Sequence, residues 1–600
     1  MSGVTDFPGL AAKFAPLDKV RDLYWRVQQS PDGFSLETLL AEMRVGLCVD
    51  GADEARIPAT GPVVVVANHP YGMLDGAMLT VLLTRVRPDV KVLTNFPLAD
   101  VPELEHHCIV VDPFQTDRSV ESNRRALRQA FSWLKQGGML AVFPAGEVSH
   151  WQMPAAQIVD PHWNDTAVRL IRRSGASALP VFFRGHNGVG FQLLGMVHPR
   201  LRTAFLLQEF LQQEGKTVEV RVGSPIGAEA VAAIEDDRRA MEYLRWRTYL
   251  LARRSKPQPS GLTAIRSKFA QSKLVQSSFV QSKFARKAQE PVAAAASTAL
   301  LAEEVSKLPE ERCLAENGDL AVYLGSAREI PHLLREVGRL REVTFRQVGE
   351  GTGKSLDLDR FDRHYWHLLL WNKTKCELVG AYRAGNTDEI LPEHGIRGLY
   401  TSTLFRFDER IFQKLGPALE LGRSFVRPEY QRQYAPLLLL WKGIARLVAM
   451  WPEIPVLFGA VSISNDYTET SREMIYRFFE TRMHDDELAG LVTPRRPFRP
   501  GLLRRWDCRS MCQALRDLEE LSQPINDVEA DGKGLPILLR QYAKIGGKLL
   551  GFNVDRKFSN VLDGLVVVDL RRTDPAVLDR YMGRESAAAF RQLHAVAAES

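Results

Sequence analysis

Six hundred residues, 45% apolar, 25% charged and 9% aromatic, make a chain long enough to bury several cores without disulfides. No apolar run reaches the roughly 18–20 residues of a spanning helix, and the best candidate, 437–451, is broken by Lys442 and Arg446. The net charge of +6 is modest and gives no basic face that would suggest nucleic acid.

Other features narrow the class further. The start of the chain, with Asp6 and no apolar segment, does not read as a secretory signal. Six cysteines without CxxC spacing argue for reduced thiols and against a metal site. The charge is also uneven. Nine cations and no acid lie between Arg253 and Gln289, which leaves −3 on the rest of the chain.

In chain order, strands are predicted at 62–67 (PVVVVA), 90–94 and 109–111, a helix at 119–136, then strands at 139–143, 179–183 and 218–222. This alternation is an α/β signature. The cationic stretch follows, with a five-residue near-repeat (SKFAQ, SKLVQ, SSFVQ, SKFAR) that settles on no single helix face. It reads either as a solvated linker or as a surface-binding strap that places Phe, Leu and Val in lipid and Lys at phosphates. Beyond it the α/β pattern restarts, with helices at 331–343 and 434–451 and strands at 376–383 and 456–461. The expected organisation is an α/β domain over 1–252, a basic, Ala/Ser/Gln-rich linker over 253–315, and a second α/β domain over 316–600.

Three blocks in the first half end strands in polar turns: Asn68-His69-Pro70-Tyr71-Gly72-Met73-Leu74-Asp75, Phe143-Pro144-Ala145-Gly146-Glu147-Val148-Ser149, and Leu179-Pro180-Val181 leading to Arg184-Gly185-His186. A histidine can accept a hydroxyl proton near neutral pH, and a carboxylate can fix its tautomer. In that order and spacing, the blocks resemble the glycerolipid O-acyltransferases of the 1-acylglycerol-3-phosphate type, with one residue more between His and Asp, as in the hemolysin-like branch. The resemblance implies His69 as general base and Asp75 as its orienting partner. It implies Asn68, Gly146 and Glu147 at the acceptor and Pro180 at the acyl site. FPAGEVS has no arginine beside its Glu, which turns the expectation toward a non-phosphorylated hydroxyl acceptor.

In the second half, Gly349-Glu350-Gly351-Thr352-Gly353-Lys354-Ser355 is not a nucleotide loop. The required spacing would put a glycine where Val348 stands, so a glycine-rich substrate loop is expected. Around it lie Arg341 and Phe345, then Asp359 and Asp362, then Glu420-Leu421-Gly422-Arg423-Ser424-Phe425-Val426. Paired acids can hold an ammonium group, Glu420 can take a proton from an amine, and Arg423 and Arg427 suit phosphates. His364 and His367 sit in an aromatic run and are read as packing residues.

This pattern resembles the GNAT-like fold of the acyl-homoserine-lactone synthases. The tail segments GLPILLRQY (534–542), GGKLLGFNVDRKF (546–558) and LDGLVVVDL (562–570) resemble ornithine N-acyltransferases. That resemblance implies Arg341 and Phe345 at the substrate, Asp359 and Asp362 as amine-binding acids, Glu420 as base or water-orienting group, and Arg423 as a phosphopantetheine or acid-loop anchor.

Together the halves resemble bifunctional ornithine-lipid synthases. What this implies is N-acylation of ornithine from 3-hydroxyacyl-acyl carrier protein (or acyl-CoA), then O-acylation of the new 3-hydroxyl, with no bound cofactor or metal. The partners would be acyl carrier protein, ornithine or a related amino acid, and the lipid surface on the inner face of the bacterial cytoplasmic membrane. Two alternatives stay open: a glycerolipid O-acyltransferase with a non-catalytic C-terminal domain, and a membrane-binding hemolysin-like scaffold.

Overall fold

The computed structural model describes residues 16–31, 33–94, 101–111, 117–153, 157–192, 199–254, 289–431, 433–501, 512, 514–556 and 558–599. The repeat region of the cationic stretch lies outside these residues. The chain forms two compact units, one of residues 1–256 with 504–534 and one of residues 257–503 with 535–600. Residues 504–534, read from the sequence as part of the C-terminal domain, thus cluster with the first unit.

The first unit contains strands β1 (Gly46–Val49), β2 (Val63–Ala67), β3 (Val90–Thr94), β4 (Cys108–Val110), β5 (Met139–Val142), β6 (His150–Gln152), β7 (Gln157–Val159), β8 (Ser177–Phe183) and β9 (Thr217–Val222). Seven of them form a sheet in the order β1-β9-β8-β2-β5-β3-β4, parallel except for the β8–β9 pair. β6 and β7 form a separate hairpin. Every residue of β2 is buried, as expected of a β-branched run covered on both faces. The following helix, Met73–Thr84, is buried on nearly every side, which suits its almost uniformly apolar sequence.

β2 lies between β8 and β5, so the ends of these three neighbouring strands carry the three sequence blocks to one edge of the sheet. In open parallel sheets, ligands bind outside the carboxyl ends of the strands.

The second unit contains β10 (Cys313–Asn317), β11 (Leu320–Ser326), β12 (Trp366–Asn372), β13 (Glu377–Asn386), β14 (Phe405–Phe407), β15 (Ala418–Val426), β16 (Val456–Ile463), β17 (Val492–Pro494), β18 (Lys548–Asp555) and β19 (Val561–Asp569). Its main sheet runs β10-β11-β12-β13-β15-β16-β19-β18, and β14 and β17 pair separately. The single parallel pair in that sheet, β15 with β16, is joined through the helix Tyr434–Met450, the crossover that a parallel pair requires. Their pairing covers only Ala418–Glu420 against Val456–Phe458, after which the strands part. Among the described residues, no helix is long and apolar enough to cross a membrane.

Candidate active sites

The turn after β2 brings His69 and Asp75 together. His69 Nδ1 lies 3.0 Å from Asp75 Oδ2, with Asp75 fully buried and His69 19% exposed. Gly72 in this turn has a φ of 79°, a conformation that favours glycine. Asp75 Oδ2 also accepts from the backbone N–H groups of Tyr71 (2.8 Å) and Gly72 (3.0 Å), closing the turn over the helix N-terminus. Burial pushes the Asp75 carboxyl above its ordinary range, against the opposing pull of His69 and the two amides. The His69 ring packs on Phe143 from the end of β5, with centroids 4.4 Å apart. Nδ1 faces the carboxylate, and Nε2 is the ring nitrogen on the side away from it.

A second carboxylate fixes the histidine's backbone. Asp160 is fully buried, and its Oδ1 accepts from the His69 N–H at 3.1 Å and from the Ser149 hydroxyl. Its Oδ2 accepts from the Trp163 indole at 2.8 Å. The Ser149 N–H donates to the His69 carbonyl at 2.8 Å, so the FPAGEVS turn and the histidine turn are tied directly. Sequence reading passed over Asp160, because nothing around it forms a motif and its bond to His69 spans 91 residues.

The other expected residues of this unit are placed as follows. Asn68 is buried, with its amide donating to the Phe183 carbonyl (2.9 Å) and accepting from the Phe183 N–H (2.7 Å), so it clamps the end of β2 to β8. Gly146 and Glu147 are exposed in the turn after β5. Pro180 is buried within β8, opposite Val66, which lies three residues before His69.

In the second unit, Arg341, Asp359 and Asp362 meet in one network around Arg383. Arg341 Nη1 lies 2.7 Å from Asp362 Oδ1, and Arg383 Nη1 lies 2.8 Å from Asp359 and 3.1 Å from Asp362. Although burial works against it, the two guanidinium groups hold the Asp362 carboxyl well below the carboxylate range. Both acids therefore have cations already. His367 is buried against the Asp362 carbonyl and His364 is bonded to the Gly398 carbonyl.

Glu420 is buried at 1% exposure and accepts from the Tyr365 hydroxyl, the Tyr400 N–H (3.1 Å) and the Thr401 N–H (2.6 Å). It anchors the turn at 400–403 from beneath. Arg427 pairs with Glu377 at 2.5 Å. The glycine-rich loop cradles an anion of its own: Glu342 accepts from the N–H groups of Thr352 (3.0 Å) and Gly353 (2.8 Å) and from Arg346 (2.6 Å).

Where β15 and β16 part, a cleft of about 170 Å³ opens, lined by Gly422, Arg423 and Ser424 on one side and Ala460, Val461 and Ser462 on the other. Phe345 and Tyr400 also line it, together with three acids: Glu350 of the glycine loop, Asp555 of β18 and Asp563 of β19. Asp563 accepts from the Ser462 hydroxyl at 2.6 Å. Burial and the neighbouring Asp555 and Glu350 charges push the Asp563 carboxyl up to about 7. Glu350 is also raised, chiefly by burial. Arg423 adopts φ 49° and pairs with Asp357 at 3.0 Å, and its guanidinium lies over the Phe558 and Tyr400 rings. Of the acids in the cleft, sequence reading singled out none. Among the described residues, no cluster of three His, Cys, Asp or Glu is arranged to hold a metal ion.

Comparison with known proteins follows the same division. A family model described as "Acyltransferase" matches residues 34–256, and one described as "Acetyltransferase (GNAT) domain" matches residues 340–442. A glycine N(alpha)-acyltransferase of Bacteroides thetaiotaomicron is 31% identical over 285 residues, which is 44% of this chain and 82% of the relative. A second protein of that name, from Phocaeicola vulgatus, is 35% identical over 187 residues, 29% of this chain and 57% of the relative.

Among solved structures, the 1-acyl-sn-glycerophosphate acyltransferase PlsC from Thermotoga maritima is 17% identical and covers 41% of this chain and 93% of its own (TM-score 0.24). The CoA-dependent acyl-homoserine lactone synthase BjaI, with SAM and isopentyl-CoA, is 13% identical and covers 45% of this chain and 98% of its own (TM-score 0.22).

Proposed function

The chain belongs to the acyltransferases, the family of the glycine N(alpha)-acyltransferases to which it is similar, and from that premise we propose that it builds a two-chain aminolipid by two thioester acyl transfers. The second unit acylates the α-amine of an amino acid with a 3-hydroxyacyl group. The first unit then acylates the 3-hydroxyl of that product.

One observation carries this reading. A single chain holds a His–carboxylate pair suited to a hydroxyl acceptor and an acid-lined cleft suited to an amine. In the first unit, His69 Nε2 takes the hydroxyl proton as the oxygen attacks the thioester carbonyl. The C–S bond then breaks, and the His69 imidazolium returns that proton to the departing thiolate. Asp75 holds the imidazole in the tautomer this requires and steadies the imidazolium. In the second unit, the pairing of β15 with β16 ends at Glu420 and Phe458, and the gap beyond suits an extended, amide-bearing arm, such as the pantetheine of acyl carrier protein or coenzyme A.

Ornithine is the acceptor implied by resemblance, while the relatives' names specify glycine. The three acids in the cleft support a dibasic acceptor, because a second ammonium needs a second anion. The composition of the cationic stretch supports attachment to an anionic bilayer, where each cation near the surface contributes about 1 kcal/mol. Arg254 is not part of such a strap, since it pairs with Asp53 at 2.5 Å within the first unit.

The test is lipid extraction and mass spectrometry of cells expressing the full chain, which reports the head group and both acyl chains. A new N-acyl, O-acyl aminolipid is expected. Cells with new glycerolipid and no amide would leave only the O-acyltransferase reading.

A further inference from the structure

The cleft of the second unit separates two sets of acids that the sequence does not distinguish. Asp359, Asp362 and Glu420 are consumed inside the protein, the first two by Arg341 and Arg383 and the third by the Tyr365 hydroxyl and two backbone amides. None of them lines the cleft. Asp563, Asp555 and Glu350 do, and they come from three separate elements: β19, β18 and the glycine loop.

The same cleft is lined by Arg423, whose side chain is only 9% exposed. Its Nε is buried and has no hydrogen-bond partner among the described residues. A buried donor left unmet is costly, and more so when charged. Arg423 is paired with Asp357 through Nη1, so it is the Nε donor that remains for a substrate carboxylate, and with the cleft acids for an ammonium the lining is the complement of a zwitterion.

We propose that Asp563 is the proton acceptor for the amino acid's α-ammonium, with Asp555 and Glu350 flanking it and Arg423 meeting the amino acid's carboxylate. This rests on the N-acyltransferase reading above. The Asp563 carboxylate takes one proton from the ammonium and passes it to solvent, and the freed amine attacks the thioester carbonyl carbon. As the C–S bond breaks, the second nitrogen proton goes to the departing sulfur, so the products are amide, thiol and one released proton.

Glu420 then has the different task of holding Tyr400, which lines the cleft, in place. The charged groups facing Asp563 are Asp555, Glu350 and Arg423, and Ser462 donates to it. The two acids raise its affinity for a proton and the arginine lowers it.

The experiment uses the full-length chain with a 3-hydroxyacyl thioester on acyl carrier protein and either ornithine or glycine. It follows thiol release and amide mass across the neutral pH range. Wild-type kcat/KM for the amino acid should rise through about pH 7. Asp563→Asn keeps the side chain's shape and should lower kcat by roughly 10²–10⁴-fold with loss of that rise, at an unreduced Tm. Glu350→Gln, on a loop, should raise KM for the amino acid and move the rise to lower pH, because one of the charges that raise Asp563 is gone.

A wild-type-like kcat in Asp563→Asn, or an unmoved rise in Glu350→Gln, overturns the assignment while leaving the N-acyltransferase reading intact. If the wild type forms no amide with either amino acid, that reading falls and takes this site with it.

Discussion

His69 Nδ1 and Asp75 Oδ2 face each other at 3.0 Å across a turn one residue longer than the block it resembles. The carboxylate reaches back because it caps its own helix, accepting from Tyr71 and Gly72 while it faces the imidazole. His69→Ala should therefore reduce O-acylation by about 10²–10⁴-fold, the usual worth of a positioned base, and leave N-acylation untouched. Single-chain N-acyl product accumulating in place of the two-chain lipid, measured by mass spectrometry, is the expected outcome. Unchanged two-chain lipid in that variant would remove His69 from the reaction.

Gly185 supports the same turn from a distance. Its φ is 121°, and a β-carbon there would lie 1.8 Å from the Tyr71 hydroxyl, which donates to the Arg184 carbonyl. Tyr71 in turn donates its N–H to Asp75. Gly185→Ala should thus cost about 1–3 kcal/mol in backbone strain alone and displace Tyr71, lowering both Tm and O-acylation. Adding Tyr71→Phe removes the clashing oxygen and should restore part of both. Measuring the two variants side by side separates crowding from a general intolerance of alanine.

The strand that delivers His69 was legible because a run of four valines has nowhere to go but a doubly covered sheet, and the three polar blocks were legible by their spacing. Asp160 was not, since its role depends on strands and turns converging from far along the chain. Glu420 shows a different limit. Its pattern singled it out, but its burial and its bonds to the Tyr400 and Thr401 N–H groups come from packing that the local sequence does not carry. Asp563 sits in an ordinary-looking strand sequence, LDGLVVVDL, and reaches the cleft through the pairing of β19 with β16, which sets it opposite Ser462.

The stretch 504–534 has its own consequence. Asp527 is buried in the first unit, where its carboxylate accepts from the Ser224 N–H (2.8 Å), the Ser224 hydroxyl (2.7 Å) and Arg247 (2.9 Å). Arg247 is itself fully buried. Removing one partner of such a pair strands the other, at about 3–5 kcal/mol. Asp527→Ala should then lower the Tm of the first unit and suppress O-acylation before N-acylation. By the same argument, residues 316–600 expressed alone should aggregate, because Leu521, Ile525 and Val528 would lose the surface that buries them. Light scattering of that fragment, with and without 504–534, checks this.

Asp563 makes stability depend on pH in a direction opposite to that of a salt-bridged acid. Its carboxyl is raised from 3.8 to about 7 in the folded protein. Between those values the native state holds a proton that the unfolded chain has lost, so stability falls as pH rises through the window. Each tenfold displacement is worth about 1.4 kcal/mol, so the penalty above neutrality is on the order of 4 kcal/mol at most. Asn cannot ionise, and Asp563→Asn should therefore match the wild type in mildly acidic buffer and exceed its Tm in alkaline buffer. A variant less stable than wild type at every pH would instead mean that Asp563 is held by a structural bond. A variant that is more stable above neutrality but slow in amide formation is what a site strained for function requires.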